Sequence, residues 1–109
     1  MKSAREIIQS LPSRFKKDKV SKDFEVIFHF EIKGDRGGDF TVKIENGACT
    51  VEDGLHGEPK CVVKTKDETY EKLEYGKTNP QTAFMFGKVK VSNINAMLKF
   101  VGNFKSIEE

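Results

Sequence analysis

Few side chains in this sequence have the types and spacing that catalysis requires. His29 stands between Glu25 and Glu31 in a segment of alternating polar and apolar residues, so the three side chains should project from one face of a strand. An imidazole beside carboxylates can act as a general acid or base. A surface or packed histidine is the better interpretation, and solvent exposure is enough to explain the two glutamates.

The remaining reactive residues give no stronger signal. Cys49 and Cys61 are twelve residues apart, which is not the spacing of metal ligands, and we interpret them as small buried apolar residues. His56 lies in a glycine-flanked loop and is better interpreted as an ordinary loop residue than as a catalytic one. Gly37 and Gly38 are better explained by a hairpin than by a ligand-binding loop. The sequence contains no phosphate-binding glycine loop and no familiar hydrolase or zinc motif. We therefore predict no catalytic residue, no metal and no cofactor.

Length and charge exclude several other classes of protein. The 109 residues predict a single domain over residues 1–109. The 19 basic and 17 acidic residues are well mixed and leave a net charge of +2, so no nucleic-acid partner is expected. No apolar run is long enough for a transmembrane helix. Neither a signal peptide nor a C-terminal address is recognisable, and we expect a cytoplasmic location.

Three strands can be predicted in succession. Residues 24–33 alternate between an apolar face and a more polar face that also carries Ile27, and residues 40–45 repeat that alternation. Asn46 and Gly47 predict a type I′ turn that fixes the pairing of the second strand with the third. The predicted register pairs Glu45 with Ala48, Ile44 with Cys49, Lys43 with Thr50 and Val42 with Val51.

Two helices and a fourth strand flank these strands. Ser3 and Glu6 form a capping box at the start of the first helix. A fourth strand is predicted over residues 60–65. Thr65 and Glu68 form a second capping box, with Asp67 as the alternative cap, and start another helix.

Residues 76–91 have the most distinctive pattern in the chain. Gly76 ends the preceding helix, Asn79 caps a new one, Pro80 occupies its first position, and Gly87 stops it after about two turns. A strand follows at residues 88–91. So short a helix cannot hold itself together, and we expect its apolar side chains to lie against something. Those side chains are Phe84, Met85 and Phe86.

A final helix is predicted from Ser92 or Asn93 onward, with Ile94, Met97, Leu98, Val101 and Phe104 at helical spacing. The whole pattern is typical of an α+β fold with a five-stranded, mostly antiparallel sheet covered on one face by helices. The sequence has nine phenylalanines and no tryptophan. These residues either fill the core or surround a cavity that lipid fills.

Five lysines are concentrated in the last third of the sequence. They form either a solvated rim or a surface with weak attraction for phosphate, from lipid headgroups or from coenzyme A. The five are Lys77, Lys88, Lys90, Lys99 and Lys105.

These patterns together resemble the sterol carrier protein type 2 family, the non-specific lipid-transfer domain. The resemblance covers nearly the whole chain, and its specific feature is a Gly-Lys pair, an Asn-Pro pair, an Ala-Phe pair and a second Gly-Lys pair in succession. The matching residues are Asp67, Tyr70, Leu73, 76–77, 79–81, 83–85, 87–91 and 96–99.

The resemblance implies an apolar tunnel between the sheet and the helices that takes fatty acid, fatty acyl-CoA, phospholipid or sterol. The positions that match the family's tunnel contacts are Phe84, Met85, Met97, Leu98 and Gln81, with Val101 as a neighbour on the same helical face. The implied function is non-enzymatic lipid binding and transfer, with transient contact with a membrane surface.

The sequence departs from the family at its end, and two other functions stay open. Family members sent to peroxisomes end in a targeting tripeptide, whereas this chain ends Ile107-Glu108-Glu109, so peroxisomal import is not expected. The short segment after Phe104 leaves one tunnel mouth open or closed by a partner. The domain could instead hold an acyl chain for a partner enzyme, or be an interaction module with a filled core.

Overall fold

The computed structural model describes residues 1–107. Glu108 and Glu109, on which the prediction about peroxisomal import depends, lie outside the described residues. Two short helices, a 3₁₀ turn at Lys17–Lys19 and a three-strand meander are followed by a fourth strand, two helices, a fifth strand and a last helix. The elements are α1 (Ala4–Gln9), α2 (Leu11–Arg14), β1 (Val26–Lys33), β2 (Gly38–Glu45), β3 (Ala48–Asp53), β4 (Cys61–Lys66), α3 (Asp67–Glu74), α4 (Pro80–Met85), β5 (Val89–Val91) and α5 (Ile94–Val101). None of the helices in residues 1–107 is long and apolar enough to cross a membrane.

The five strands form one sheet in the order β3-β2-β1-β4-β5. The β1–β4 pair is parallel and the other three pairs are antiparallel. The α+β fold with a mostly antiparallel five-stranded sheet is confirmed. The predicted β2–β3 register is also confirmed at all four pairs, because Asn46 and Gly47 both adopt positive φ angles of 53° and 75° and close the tight turn.

The parallel β1–β4 pairing requires the chain to cross the sheet after β3. The crossing segment, residues 54–60, lies over the more polar face of the sheet. Thr41 Oγ1 donates to the Gly54 carbonyl at 2.8 Å and accepts from the His56 N–H at 2.9 Å. A ring nitrogen of His29 lies 2.8 Å from the His56 carbonyl oxygen. This segment therefore buries His29 and Thr41, and the packed interpretation of His29 is confirmed.

The opposite, apolar face of the sheet carries the hydrophobic core. Phe28 and Phe30 of β1 are fully buried there, and four of the five helices contribute residues to the same cluster. The helical contributions are Ala4, Ile7 and Ile8 from α1, Leu11 from α2, Tyr70 from α3 and Phe100 from α5. The predicted cover of helices over one face is thus present, but α4 gives no residue to this cluster.

The helix starts follow the sequence in two cases and depart from it in one. The Ser3–Glu6 capping box is present, with both reciprocal hydrogen bonds formed. The predicted capping box at Thr65 is wrong, because the Thr65 hydroxyl donates to the Lys88 carbonyl of the neighbouring strand at 2.8 Å. Lys66 is the N-cap of α3 and makes no side-chain cap bond, while Asp67, the first helical residue, accepts the N–H of Glu68 at 2.7 Å. Asn79 caps α4 as predicted.

One buried carboxylate connects three distant parts of the chain. Glu71 of α3 accepts the backbone N–H of Ala4 at 2.9 Å and the Nε of Arg36 at 2.8 Å. It therefore joins α1 and the β1–β2 loop to α3. Asp67 adds a second link, since it accepts the backbone N–H of Arg36 at 3.0 Å.

Candidate functional site

The α4 helix forms as predicted but does not turn its apolar side chains inward. Asn79 Oδ1 accepts the N–H groups of Gln81 and Thr82 at 2.8 and 3.3 Å. Ala83 is buried, whereas Met85 and Phe86 are 80% and 73% exposed. Phe84 and Gln81 are exposed as well. The expectation that all three large side chains of this segment are covered is therefore wrong within residues 1–107.

The α5 helix has one fully buried residue among its eight, and Ala96 and Met97 pack on the edge of the core. Asn93 caps it by accepting the N–H of Ala96 at 3.0 Å, and Phe100 is its single buried side chain. Met97 is half-buried, whereas Leu98 and Val101 are exposed. The assignment of Leu98 and Val101 as lipid contacts stays a prediction, since both are exposed in this arrangement of the helix.

Phe100 completes an aromatic cluster that sequence reasoning did not identify. Its ring stacks on Phe28 with centroids 4.1 Å apart and lies 4.8 Å from the ring of Phe104. Phe104 is paired in turn with Phe15, whose ring is 5.6 Å away. The signal that could have identified Phe100 is its spacing from Met97 and Phe104, three and four residues away on one helical stripe.

A cavity of about 190 Å³ lies between α2, α3 and α5. Two of the predicted site residues, Met97 and Val101, line it, and Gln81, Phe84, Met85 and Leu98 do not. Phe30, Tyr70 and Phe100 form much of its wall. Small-molecule sites have volumes of about 300–1,000 Å³, so this cavity is too small for a whole acyl chain. The continuous tunnel implied by the resemblance stays a prediction.

The polar groups at the edge of this cavity are already paired with each other. Arg14 Nη1 lies 3.6 Å from a Glu74 carboxylate oxygen and donates to the Lys105 carbonyl at 2.9 Å. Burial, together with the nearby Glu74, raises the pKa of the Tyr70 hydroxyl well above its usual range. The tyrosine is therefore a neutral part of the wall, and the interior surface of the cavity is mainly apolar.

A second, larger opening of about 760 Å³ is polar and lies beside α4. Lys88 and Lys90 of the predicted lysine cluster line it, and four further lysines join them from β1, β4 and α3: Lys33, Lys64, Lys66 and Lys72. Two of these have acidic neighbours, since Lys72 lies 3.0 Å from Glu68 and Lys64 lies 4.0 Å from Glu31.

The side chains of Glu25, Glu31 and His29 have three different environments and do not form a group. Glu25 is exposed, Glu31 is half-buried beside Lys64, and His29 is covered by the 54–60 segment. Within residues 1–107 no group of three or more histidine, cysteine, aspartate or glutamate side chains could hold a metal ion.

Both cysteines are free and buried, as predicted. Cys49 is on β3 and Cys61 on β4, three strand spacings apart, or about 14 Å, which is too far for a disulfide. Burial raises the pKa of the Cys49 thiol to about 12, so this thiol is unreactive at neutral pH.

Comparison with known proteins gives one consistent family. The sequence model of the SCP-2 sterol transfer family matches residues 5–105. Sterol carrier protein 2 of Gallus gallus is 33% identical over 82 residues, which are 72% of this chain and 15% of that protein. The chain thus spans about a seventh of the length of this curated relative.

Solved structures show the same fold at lower sequence identity. Sterol Carrier Protein 2 Like 2 from Aedes aegypti has a TM-score of 0.70 and 18% identity, and the match covers 89% of each chain. The inverting sec-alkylsulfatase Pisa1 from Pseudomonas sp. has a TM-score of 0.74 and 22% identity, and the match covers 90% of this chain and 16% of the sulfatase. The same architecture therefore occurs both as a separate chain and as part of a larger enzyme.

Proposed function

The chain belongs to the SCP-2 sterol transfer family, and on that premise we propose that it binds one lipid molecule between the sheet and helix α5 and transfers it without catalysing a reaction. The observation that carries this proposal is the way α5 closes the core. Phe100 is the one fully buried side chain of the helix, and it forms part of the wall of the 190 Å³ cavity. Moving α5 outward would withdraw Phe100 and join the cavity to the space that its ring vacates.

The exposed apolar side chains of α4 and α5 support the same proposal. Phe84, Met85, Leu98 and Val101 are exposed in the present arrangement, although they are apolar. A lipid chain between the layers would give them contacts if the helices tilted around it. Gln81, at the first turn of α4, would then be a polar neighbour of the entrance.

The energetics of such an exchange are favourable for a long acyl chain. A sixteen-carbon chain could gain roughly 12 kcal/mol at about 0.8 kcal/mol per buried CH₂ group. The free-energy costs of association and of displacing Phe100 cancel a large part of this gain, and the remainder is compatible with a dissociation constant in the micromolar range. An apolar wall discriminates weakly between apolar ligands, so fatty acid, fatty acyl-CoA, phospholipid and sterol are all candidates.

Displacement of a fluorescent fatty acid from the delipidated protein tests this function. We expect saturable binding, competition by unlabelled lipids, and at least roughly tenfold weaker binding in Val101→Asp, because a carboxylate in an apolar site carries a large desolvation cost. Leu55→Asp is the matched control, since Leu55 is an exposed leucine in the 54–60 segment. No saturable binding by the folded protein would contradict the proposal and favour an interaction module with a filled core.

A second candidate is that the domain holds an acyl chain for a partner enzyme. The fold match with 16% of the chain of a sulfatase favours it, because there the same fold is part of a larger enzyme. Turnover by the purified domain, lost in His29→Ala, would instead indicate an enzyme. A cytoplasmic location also stays a prediction.

A further inference from the structure

The exposed apolar side chains of this molecule are concentrated in one segment. Of the eight large apolar side chains that are exposed within residues 1–107, only Met1 and Leu55 lie outside α4, α5 and their flanks. The other six, called here the α4–α5 surface, are Phe84, Met85, Phe86, Ile94, Leu98 and Val101.

This surface is left over after the core is complete. The core cluster takes no residue from α4, and the fully buried face of α5 is supplied by Phe100. Met97 packs on the edge of the core, and the exposed residues of α5 lie on the adjoining side of the helix. An apolar surface that the fold does not bury marks a site of interaction.

The chain segment that carries this surface has charge of one sign only. Residues 76–105 contain five lysines and no aspartate or glutamate. The rest of the chain contains the other 14 of the 19 basic residues and all 17 acidic residues, a net charge of −3. A balanced total of +2 therefore conceals a segment with a charge of +5 that carries both helices of the α4–α5 surface.

Further lysines extend this positive charge beside α4. Lys88 and Lys90 line the polar opening together with Lys66, and its acidic residues, Glu31 and Glu68, each lie within 4.0 Å of another lysine. Protruding aromatic and methionine side chains next to lysines are the pattern of proteins that dock on anionic membranes.

We propose that the α4–α5 surface docks on an anionic lipid bilayer, with the apolar side chains entering the headgroup region and the lysines contacting lipid phosphates. The proposal rests on lipid transfer as the function, since it names the surface at which the protein would exchange its lipid. A second copy of this chain is disfavoured as the occupant because it would oppose two positive segments. The large opening beside α4 is polar, so it offers no apolar groove for a peptide helix.

Co-sedimentation with vesicles tests the charge component. We compare vesicles of phosphatidylcholine alone with vesicles that contain about 30% phosphatidylserine, at low and high salt. The expected result is binding to the anionic vesicles that is at least roughly tenfold weaker in Lys88→Glu/Lys90→Glu/Lys99→Glu and falls with salt. Lys17→Glu/Lys19→Glu/Lys22→Glu, the same charge change at exposed lysines before β1, is the matched control.

Phe86→Ser tests the apolar component and separates docking from lipid uptake. Phe86 is 73% exposed and lies outside the residues proposed to contact bound lipid. We expect roughly tenfold weaker vesicle binding, with fatty-acid binding in solution unchanged, and no effect of Leu55→Ser on either measurement.

Wild-type protein that binds fatty acid but no vesicle would overturn the docking proposal alone and would point to an acidic protein as the partner of this surface. Equal binding to neutral and anionic vesicles would overturn it too. Absence of fatty-acid binding by the wild-type protein would instead contradict lipid transfer, the function on which the docking proposal rests.

Discussion

Phe100 determines how tightly the helical layer is attached to the sheet. Its ring is 4.1 Å from that of Phe28 and 6.0 Å from that of Phe30, both of which are fully buried in the centre of β1. Removing it leaves a void next to an existing cavity, where neighbouring side chains can relax only in part.

Replacement of Phe100 by alanine should therefore lower the free energy of unfolding by about 3–5 kcal/mol. Leu98→Ala is the matched control in the same helix, because Leu98 is 68% exposed, and its effect should stay within about 0.5 kcal/mol. Urea unfolding followed by circular dichroism measures both. Equal losses in the two variants would show that Leu98 belongs to the core and that the description of α5 is incorrect.

The individual residues of the candidate site were the hardest part to predict from the sequence. The side chains of α5 are apolar over much of its circumference, so periodicity alone offers two inward faces. The predicted site residues Met97, Leu98 and Val101 draw on both faces, whereas Phe100, which is not among them, packs on Phe28. That choice depends on the position of a residue more than seventy places earlier in the chain, which no local pattern encodes.

At the scale of elements, the β1–β2 loop and the start of α3 are joined through one carboxylate. Asp67 accepts hydrogen bonds from the backbone N–H groups of Arg36 and Glu68. These bonds, the one from Arg36 more than the one from Glu68, hold the pKa of the Asp67 carboxyl below its usual range. Because the folded-state pKa is the lower one, the contribution to stability is present above the unfolded pKa of about 3.9 and is lost as the pH falls through the folded value.

Asp67→Asn should accordingly be less stable than the wild type at pH 7, and the difference should shrink as the pH is lowered below about 4. Thermal unfolding of both proteins between neutral and acidic pH measures this. Asp23→Asn, at an exposed aspartate in the segment before β1, is the control and should show no such convergence. A difference in stability that stays constant at every pH would contradict the prediction, because it would show that the ionisation of Asp67 does not contribute to stability.

The elements themselves could be predicted where their signals are local. Asn46-Gly47 fixed the β2–β3 register, and Asn79-Pro80 with Gly87 set the limits of α4, because turn and cap geometry depends on neighbouring residues. The cap at Thr65 failed for the opposite reason. Its hydroxyl bonds to Lys88, 23 residues later, and that partner exists only once β4 and β5 are paired.

The molecule as a whole combines a firm half with a loosely attached one. Glu71 and Asp67 join α1, the β1–β2 loop and α3, whereas α5 is anchored by Phe100 and α4 lies outside the core cluster. Opening for a ligand is therefore expected on the α4–α5 side, where least buried contact has to be broken.

Ligand binding should consequently stabilise the whole molecule. A lipid present at about 100 times its dissociation constant adds about 2.7 kcal/mol to the free energy of unfolding if it binds only the folded protein. We expect the melting temperature of the delipidated protein to rise with added fatty acid, and to rise much less in Val101→Asp at the same concentration. An unchanged melting temperature in the wild type at high fatty acid would contradict a site inside the fold.

The position of Phe100 along the chain also has a meaning for biosynthesis. The ribosome makes all five strands before it makes the residue that covers Phe28 and Phe30. A nascent chain that has reached β5 can pair its strands and pack α1, α2 and α3 on them, yet the part of the apolar face that Phe100 covers is still open to water. Such a face is a binding target for chaperones and a starting point for aggregation, so translation that stalls ahead of α5 should yield the form of this protein most in need of protection.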